Sequence, residues 1–163
     1  MSKKPFVSKE KLDEIAAQYA TPFYLYDEAA IRETARRVNK AFAWNQGFKE
    51  YFAVKATPNP AILKILHEEG CGADCSSYTE LQMADAVGFK GDEIMFSSNA
   101  TPAEDFQLAR QLNVTINLDD ITHIECVEKT LISRIRSAAV TIQAGILPLP
   151  TILWIIPVTQ NMV

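Results

Sequence analysis

The sequence predicts an α/β fold with a parallel sheet, organised as part of a (β/α)8 TIM barrel of about four strand-helix units. Short apolar strands alternate with amphipathic helices between residues 50 and 129. Each unit takes about twenty residues, and the strands read as apolar runs suited to burial on both faces. Four units are half of a (β/α)8 barrel, which needs roughly 250 residues, and the chain has 163. A small doubly wound sheet fits the same alternation. No Gly-x-Gly-x-x-Gly turn and no Walker-type loop is present, so the nucleotide-binding versions of that alternative lose support.

The elements follow in order. VSKEKLDEIAAQYATP (7–22) has the pattern of an amphipathic helix with Ser8 as N-cap, stopped by Pro22. FYLYD (23–27) has the composition of an aromatic strand. In EAAIRETARRVNKAFAW, Ile31, Ala35, Val38 and Phe42 share one helical face, and Arg32, Arg36, Arg37 and Lys40 are expected in solvent. The repeating pattern then starts. Strand EYFAVK leads to helix PAILKILHEEG, with Asn59 as cap, Pro60 at the first helical position and Gly70 as stop. Strand GADCS leads to SYTELQMADAVG, in which Ser77 and Glu80 have capping-box spacing. Strand EIMFSS leads to TPAEDFQLARQLN, with a second such box expected from Thr101 and Glu104 and with Pro102 in the first turn. Strand VTINL leads to DDITHIECVEK, capped by Asp119 or Asp120.

A net charge of -4 provides no broad basic field, which argues against nucleic acid or an anionic membrane as partner and favours a small-molecule ligand. The N-terminus lacks a continuous apolar stretch, so a cytoplasmic protein without a signal peptide is expected. Three cysteines make no disulfide framework, and Cys71 and Cys75 have no second pair or nearby histidine to complete a zinc site, so free thiols and no metal are expected.

Lys55 ends the first strand of the repeat, at the face where such barrels assemble their active sites. Partial burial beside Phe52 and Val54 would lower its pKa by desolvation, and the neutral amine is the form that attacks a carbonyl. The alternative is a lysine that snorkels its head into solvent at a strand end.

Five stretches, TPFYLYD, YFAVKATPNPAIL, GCGADCSSYTEL, IMFSSNATP and INLDD, together resemble the N-terminal half of a diaminopimelate decarboxylase, within the fold-type III, alanine racemase-like group of pyridoxal phosphate enzymes. The resemblance runs in order from about Pro5 to Lys129. Tyr-x-Val-Lys-Ala is shared across that group, whereas the opening stretch favours the diaminopimelate branch. The resemblance implies decarboxylation of meso-diaminopimelate to lysine, with Lys55 holding pyridoxal 5'-phosphate covalently and Asp74 and Glu80 close to the cofactor. For Asp74 a carboxylate that holds a strand-end loop is the alternative, and for Glu80 the capping box is a full structural explanation. His67 and His123 match no motif of the family and are expected on helix flanks or the surface. A homodimer is implied for the intact family. Other basic amino-acid decarboxylases, acting on ornithine, arginine or carboxynorspermidine, and cofactor carriers of the same barrel group are the competing readings.

The resemblance stops after Lys129. The segment 130–163 has no charged residue beyond Arg136 and carries Pro148, Pro150 and Pro157, so it reads as a hydrophobic tail foreign to the family and not as a βα continuation. An apolar stretch of this length can span a bilayer, but Gln143 and the prolines interrupt it. A shifted reading frame explains it better. Read from one base upstream, the codons of Trp154 and Ile155 force GAT, aspartate, and those of Met162 and Val163 force GGT, glycine. Allowed third bases then turn residues 135–144 into Thr-Ile-Ser-Cys-Arg-Tyr-Asn-Pro-Gly-Gly and residues 152–162 into Ile-Met-Asp-Asn-Pro-Gly-Asp-Ala-Lys-Tyr-Gly, both like the family. Without frame restoration the chain lacks the later histidine, the glycine-rich phosphate loop and the C-terminal β-domain that the family implies. Sequencing the gene should show third bases compatible with both displaced windows and a frame change near codon 129 or 130. One incompatible codon inside either window overturns this reading.

Overall fold

The computed structural model describes residues 5–120 and 122–130, with side chains through Val127, and the strand backbone at 138–140 and 154–155. Two helices precede the sheet. In α1 (Lys9–Gln18) the Ser8 hydroxyl accepts from the Lys11 N–H at 3.3 Å, and no residue of the helix is buried. In α2 (Glu28–Ala41) the cap is Asp27, which accepts from the Ala30 N–H at 3.1 Å.

FYLYD is not a strand. A ladder partner defines a strand, and no described segment pairs with this one. Its β-type composition reports only compatibility with a pleated surface, and Tyr24, 89% exposed, and Tyr26 stack on each other at 6.4 Å.

The sheet is built from β1 (Tyr51–Ala53), β2 (Gly72–Cys75), β3 (Ile94–Ser98), β4 (Thr115–Leu118), β5 (Ala138–Val140) and β6 (Trp154–Ile155), in that spatial order. The first five strands are parallel and β6 runs antiparallel to β5. The crossovers are α3 (Pro60–Glu68), α4 (Tyr78–Val87), α5 (Ala103–Gln111) and α6 (Thr122–Thr130). When spatial order follows chain order, right-handed crossovers put all four helices on one face of the sheet. The main core lies there. Ala73, Cys75, Ile94, Phe96, Ile116 and Leu118 of the strands pack against Leu81, Ala84, Phe106, Ala109 and Val127 of the helices. Sequence reading expected strands buried on both faces. Instead, burial alternates along β3 and β4, because the described helices cover one face only.

Local signals set the helix ends. Asn59 accepts from the Ala61 N–H at 2.9 Å with Pro60 behind it, and Gly70 leaves α3 at a positive φ of 84°. At α5 the expected box is absent. Pro102 occupies the cap position, and the Thr101 hydroxyl instead donates to the Ser98 carbonyl at 3.1 Å, closing the turn after β3. At α6 the cap comes from Asp120, whose Oδ1 accepts from the Thr122 N–H at 2.7 Å.

Arg32, expected in solvent, is three-quarters covered on its side chain and joins Glu68 at 2.7 Å and Glu69 at 3.0 Å; Arg36 adds a 2.6 Å contact to Glu69. These pairs tie α2 to the end of α3 and hold the Glu69 carboxyl below the usual carboxylate range. His67 sits 3.2 Å from Glu93 and packs against Phe89 at a tilt of 37°, while His123 is largely covered beside Phe106. Among the described residues no helix is long and apolar enough to cross a membrane.

Gly72 opens β2 where no side chain fits. A Cβ there would lie 2.5 Å from Cδ1 of Tyr51 and 2.7 Å from the Glu93 carbonyl oxygen, which is backbone. Gly72→Ala should therefore destabilise the chain by about 1–3 kcal/mol through overpacking, read from the midpoint of urea unfolding.

Candidate functional site

All parallel strands end at one rim of the sheet, and the sequence-identified residues gather there. β1 stops at Ala53, two residues earlier than the sequence suggests, and Val54–Ala56 make one turn of 3-10 helix. Val54 turns into the core, fully buried, and Lys55 turns out. Lys55 is exposed to solvent. The expected half-burial beside Phe52 and Val54 is absent, because the tight turn directs the neighbouring valine, and not the lysine, beneath the helices.

Asp74 is the register partner of Ala53, so its carboxylate stands beside the turn that carries Lys55. It lies on the face that the helices leave uncovered, yet its Oδ1 is buried and has no hydrogen-bond partner. Burial pushes the Asp74 carboxyl above its ordinary value; the Lys55 charge acts against that push, and the Glu80 charge adds to it. No ion pair within 4 Å joins Lys55 to Asp74 among the described residues. The two feel each other across a gap.

Glu80 is committed to its own loop. Its carboxylate accepts from the Ser76 N–H at 2.9 Å, from the Ser76 hydroxyl at 3.1 Å and from the Ser77 hydroxyl at 3.2 Å. Ser77 completes the cap by accepting from the Glu80 N–H at 3.4 Å. The reciprocal bond of the expected capping box thus goes one residue further upstream, to Ser76, and clamps the chain as it leaves β2. Cys75, next to Asp74, is buried, and its thiol is pushed up to about 12 by that burial, so it is inert as a nucleophile.

Sequence reading missed the continuation of this row. Ser97 of β3 and Asn117 of β4 are register partners on the same uncovered face, and the Asn117 amide donates to Ser97 Oγ at 2.9 Å. The signal was present: in IMFSS and TINL the polar residues Ser97, Thr115 and Asn117 alternate with apolar ones, which a strand buried on both faces would not show.

A lysine on the rim, an unpaired buried carboxylate oxygen and a row of hydroxyl and amide groups suit a polar small molecule fixed through the amine. The sequence profile of the pyridoxal-dependent decarboxylase family, pyridoxal binding domain, matches residues 28–146. The chain belongs to this family. Protein TabA of Pseudomonas amygdali pv. tabaci is 48% identical over 114 residues, covering 70% of this chain and 27% of the relative. Diaminopimelate decarboxylase of Methanothermobacter thermautotrophicus is 39% identical over 107 residues, covering 65% of this chain and 25% of the relative. Among solved structures, diaminopimelate decarboxylase of M. jannaschii in complex with L-lysine superimposes with a TM-score of 0.74 at 29% identity, covering 83% of this chain and 33% of that one. The chain thus spans about a quarter of the length of the curated relatives it matches. Its fold is the N-terminal part of a decarboxylase TIM barrel. The residues on the rim fit the family's cofactor, pyridoxal phosphate: Lys55 presents an exposed amine, and Asp74 Oδ1 is an acceptor without a donor among the described residues.

The elevated Asp74 carboxyl has a pH signature. The folded chain holds the Asp74 proton more tightly than the unfolded chain does, so it is penalised once the group ionises. That penalty is absent below the ordinary aspartate value of about 3.9 and complete above the raised folded value. Asp74→Asn should stabilise the cofactor-free chain at neutral pH, and the gain should vanish in acid. Urea unfolding midpoints across pH 3–7 test this; a loss of stability at neutral pH would contradict it.

Proposed function

We propose that this chain is the cofactor-anchoring part of a pyridoxal phosphate-dependent decarboxylase that converts meso-diaminopimelate to L-lysine, and that the 163 residues alone do not turn substrate over. The observation that carries the reading is the placement of Lys55 on the strand rim beside the unpaired Oδ1 of Asp74. Lys55 Nζ is the atom that would bond covalently to the cofactor. Asp74 would accept a hydrogen bond from the cofactor at Oδ1. Glu80 holds Ser76, and through it the end of β2, in place. The bound cofactor supplies an electron sink for the pair left when carbon dioxide departs.

Relatives named diaminopimelate decarboxylase support the substrate. A second reading, decarboxylation of another basic amino acid, draws on the likeness to the ornithine decarboxylase of Entamoeba histolytica, 26% identical with a TM-score of 0.66. A cofactor carrier of the same barrel group would keep Lys55 and need no substrate. The absence of turnover rests on the exposure of Lys55 and on a tail that reads as frame-shifted. In this proposal 1–129 is half of a cofactor-binding barrel, the tail departs from the family reading although the family profile runs to residue 146 and Ala138–Val140 adds a fifth parallel strand, and the intact protein works in the cytoplasm as a homodimer.

Mixing the chain with pyridoxal phosphate, reducing with borohydride and mapping the modified peptide should place the adduct on Lys55, and Lys55→Ala should abolish it. With meso-diaminopimelate, carbon dioxide release should stay at background. An adduct spread over surface lysines would overturn the anchoring role, and robust release by the unmodified chain would overturn the claim of inactivity.

A further inference from the structure

The uncovered face of the sheet carries a polar row that anchoring through Lys55 does not by itself explain. Barrel lumens are normally filled with bulky branched side chains. Here Ser97 faces Asn117 across the β3–β4 ladder. Phe96, just before Ser97, pairs with Cys75, just before Ser76. The row therefore runs from Asn117 through Ser97 and Ser76 toward the turn that holds Lys55. Two strand spacings, about 10 Å, separate Ser97 from β1.

The pair is only half used. Asn117 donates to Ser97 Oγ at 2.9 Å, which leaves the Ser97 proton and the Asn117 amide oxygen without partners among the described residues. Both side chains are partly open to solvent, in contrast to Ser98, which is 8% exposed on the helix side. A hydroxyl oriented by an amide, with its own proton free, is a preset donor. It faces the same open side of the sheet as the unpaired Oδ1 of Asp74.

We propose that Ser97 and Asn117 form a cofactor-positioning pair, in which the Ser97 hydroxyl, oriented by Asn117, donates to a polar atom of the pyridoxal phosphate that Lys55 anchors. This rests on the Lys55 reading above. It assigns to β3 and β4 a part in holding the ring, in addition to the attachment from β1 and β2.

The test is a titration of pyridoxal phosphate into the full chain and into Ser97→Ala, Asn117→Ala and Ser98→Ala, followed by the bound cofactor's absorbance, with circular dichroism to check the fold. Ser97→Ala should weaken binding about five- to tenfold, the worth of one hydrogen bond of about 1 kcal/mol, and move the absorbance maximum. Ser98→Ala should change neither. Asn117→Ala should resemble Ser97→Ala; if it unfolds, Ser97→Ala decides alone. Binding by Ser97→Ala within twofold of the parent, with an unmoved maximum, overturns the pair's role and leaves Lys55 untouched. A parent chain that binds no cofactor removes the anchoring and the pair together.

Discussion

The register of the parallel ladder is the constraint on which the rest depends. Ala53 opposite Asp74, Cys75 opposite Phe96 and Ser97 opposite Asn117 fix which side chains share a face and which end of the sheet they occupy. A slip of one residue in any strand would exchange its buried set for its open set. It would place Cys75 where Asp74 stands, or Phe96 where Ser97 does. The apolar side holds the register: Ala73, Ile94, Phe96 and Ile116 find their partners only when the polar set points away from the helices. Core packing on one face therefore sets the chemistry on the other.

Asp74 shows what this arrangement costs. A carboxylate oxygen buried without a donor is unfavourable, and nothing among the described residues relieves it. Glu80 makes the opposite choice, with its lone pairs satisfied by Ser76 and Ser77. The two acids lie six positions apart and differ in one respect. Glu80 spends its hydrogen bonds on the loop that leaves β2, while Asp74 Oδ1 has no partner among the described residues. A group left unsatisfied in an otherwise satisfied neighbourhood is where function is traded against stability.

Local rules made part of this legible before the fold was known. Ser8, Asn59 and Ser77 cap the helices that their spacing announces, because each needs only a side-chain oxygen within reach of a nearby amide. Thr101 has the same spacing and fails, since its hydroxyl finds the Ser98 carbonyl first. FYLYD has strand composition without a strand partner, and pairing is a tertiary fact. The strand-end position of Lys55 is legible in the sequence, yet its exposure depends on a 3-10 turn that favours Val54 for the interior. Ser97 and Asn117 do not stand out in the sequence, because their exposure follows from a sheet covered by helices on one face and not from the strand pattern alone.

The openness that makes the row visible also bears on catalysis. A (β/α)8 barrel closes around its ligands, and closure strengthens each polar contact by excluding water. Among the described residues β1 pairs on one side only, and a cavity of about 500 Å³ runs beneath α2, lined by Ile31, Ala35, Phe52 and Leu66. Tyr24 and Trp44 stand 89% and 80% exposed nearby in sequence. Lys55 is likewise open to solvent. A cofactor held from β1 to β4 would be gripped on one side and wet on the other. That is enough to form a bond to Lys55, since attachment needs one amine and a few orienting groups. Decarboxylation asks for more, because the electron pair it leaves behind must be sheltered from water. Anchoring and turnover thus make different demands on the fold: the first needs an amine at the rim of the sheet, the second a site closed to water.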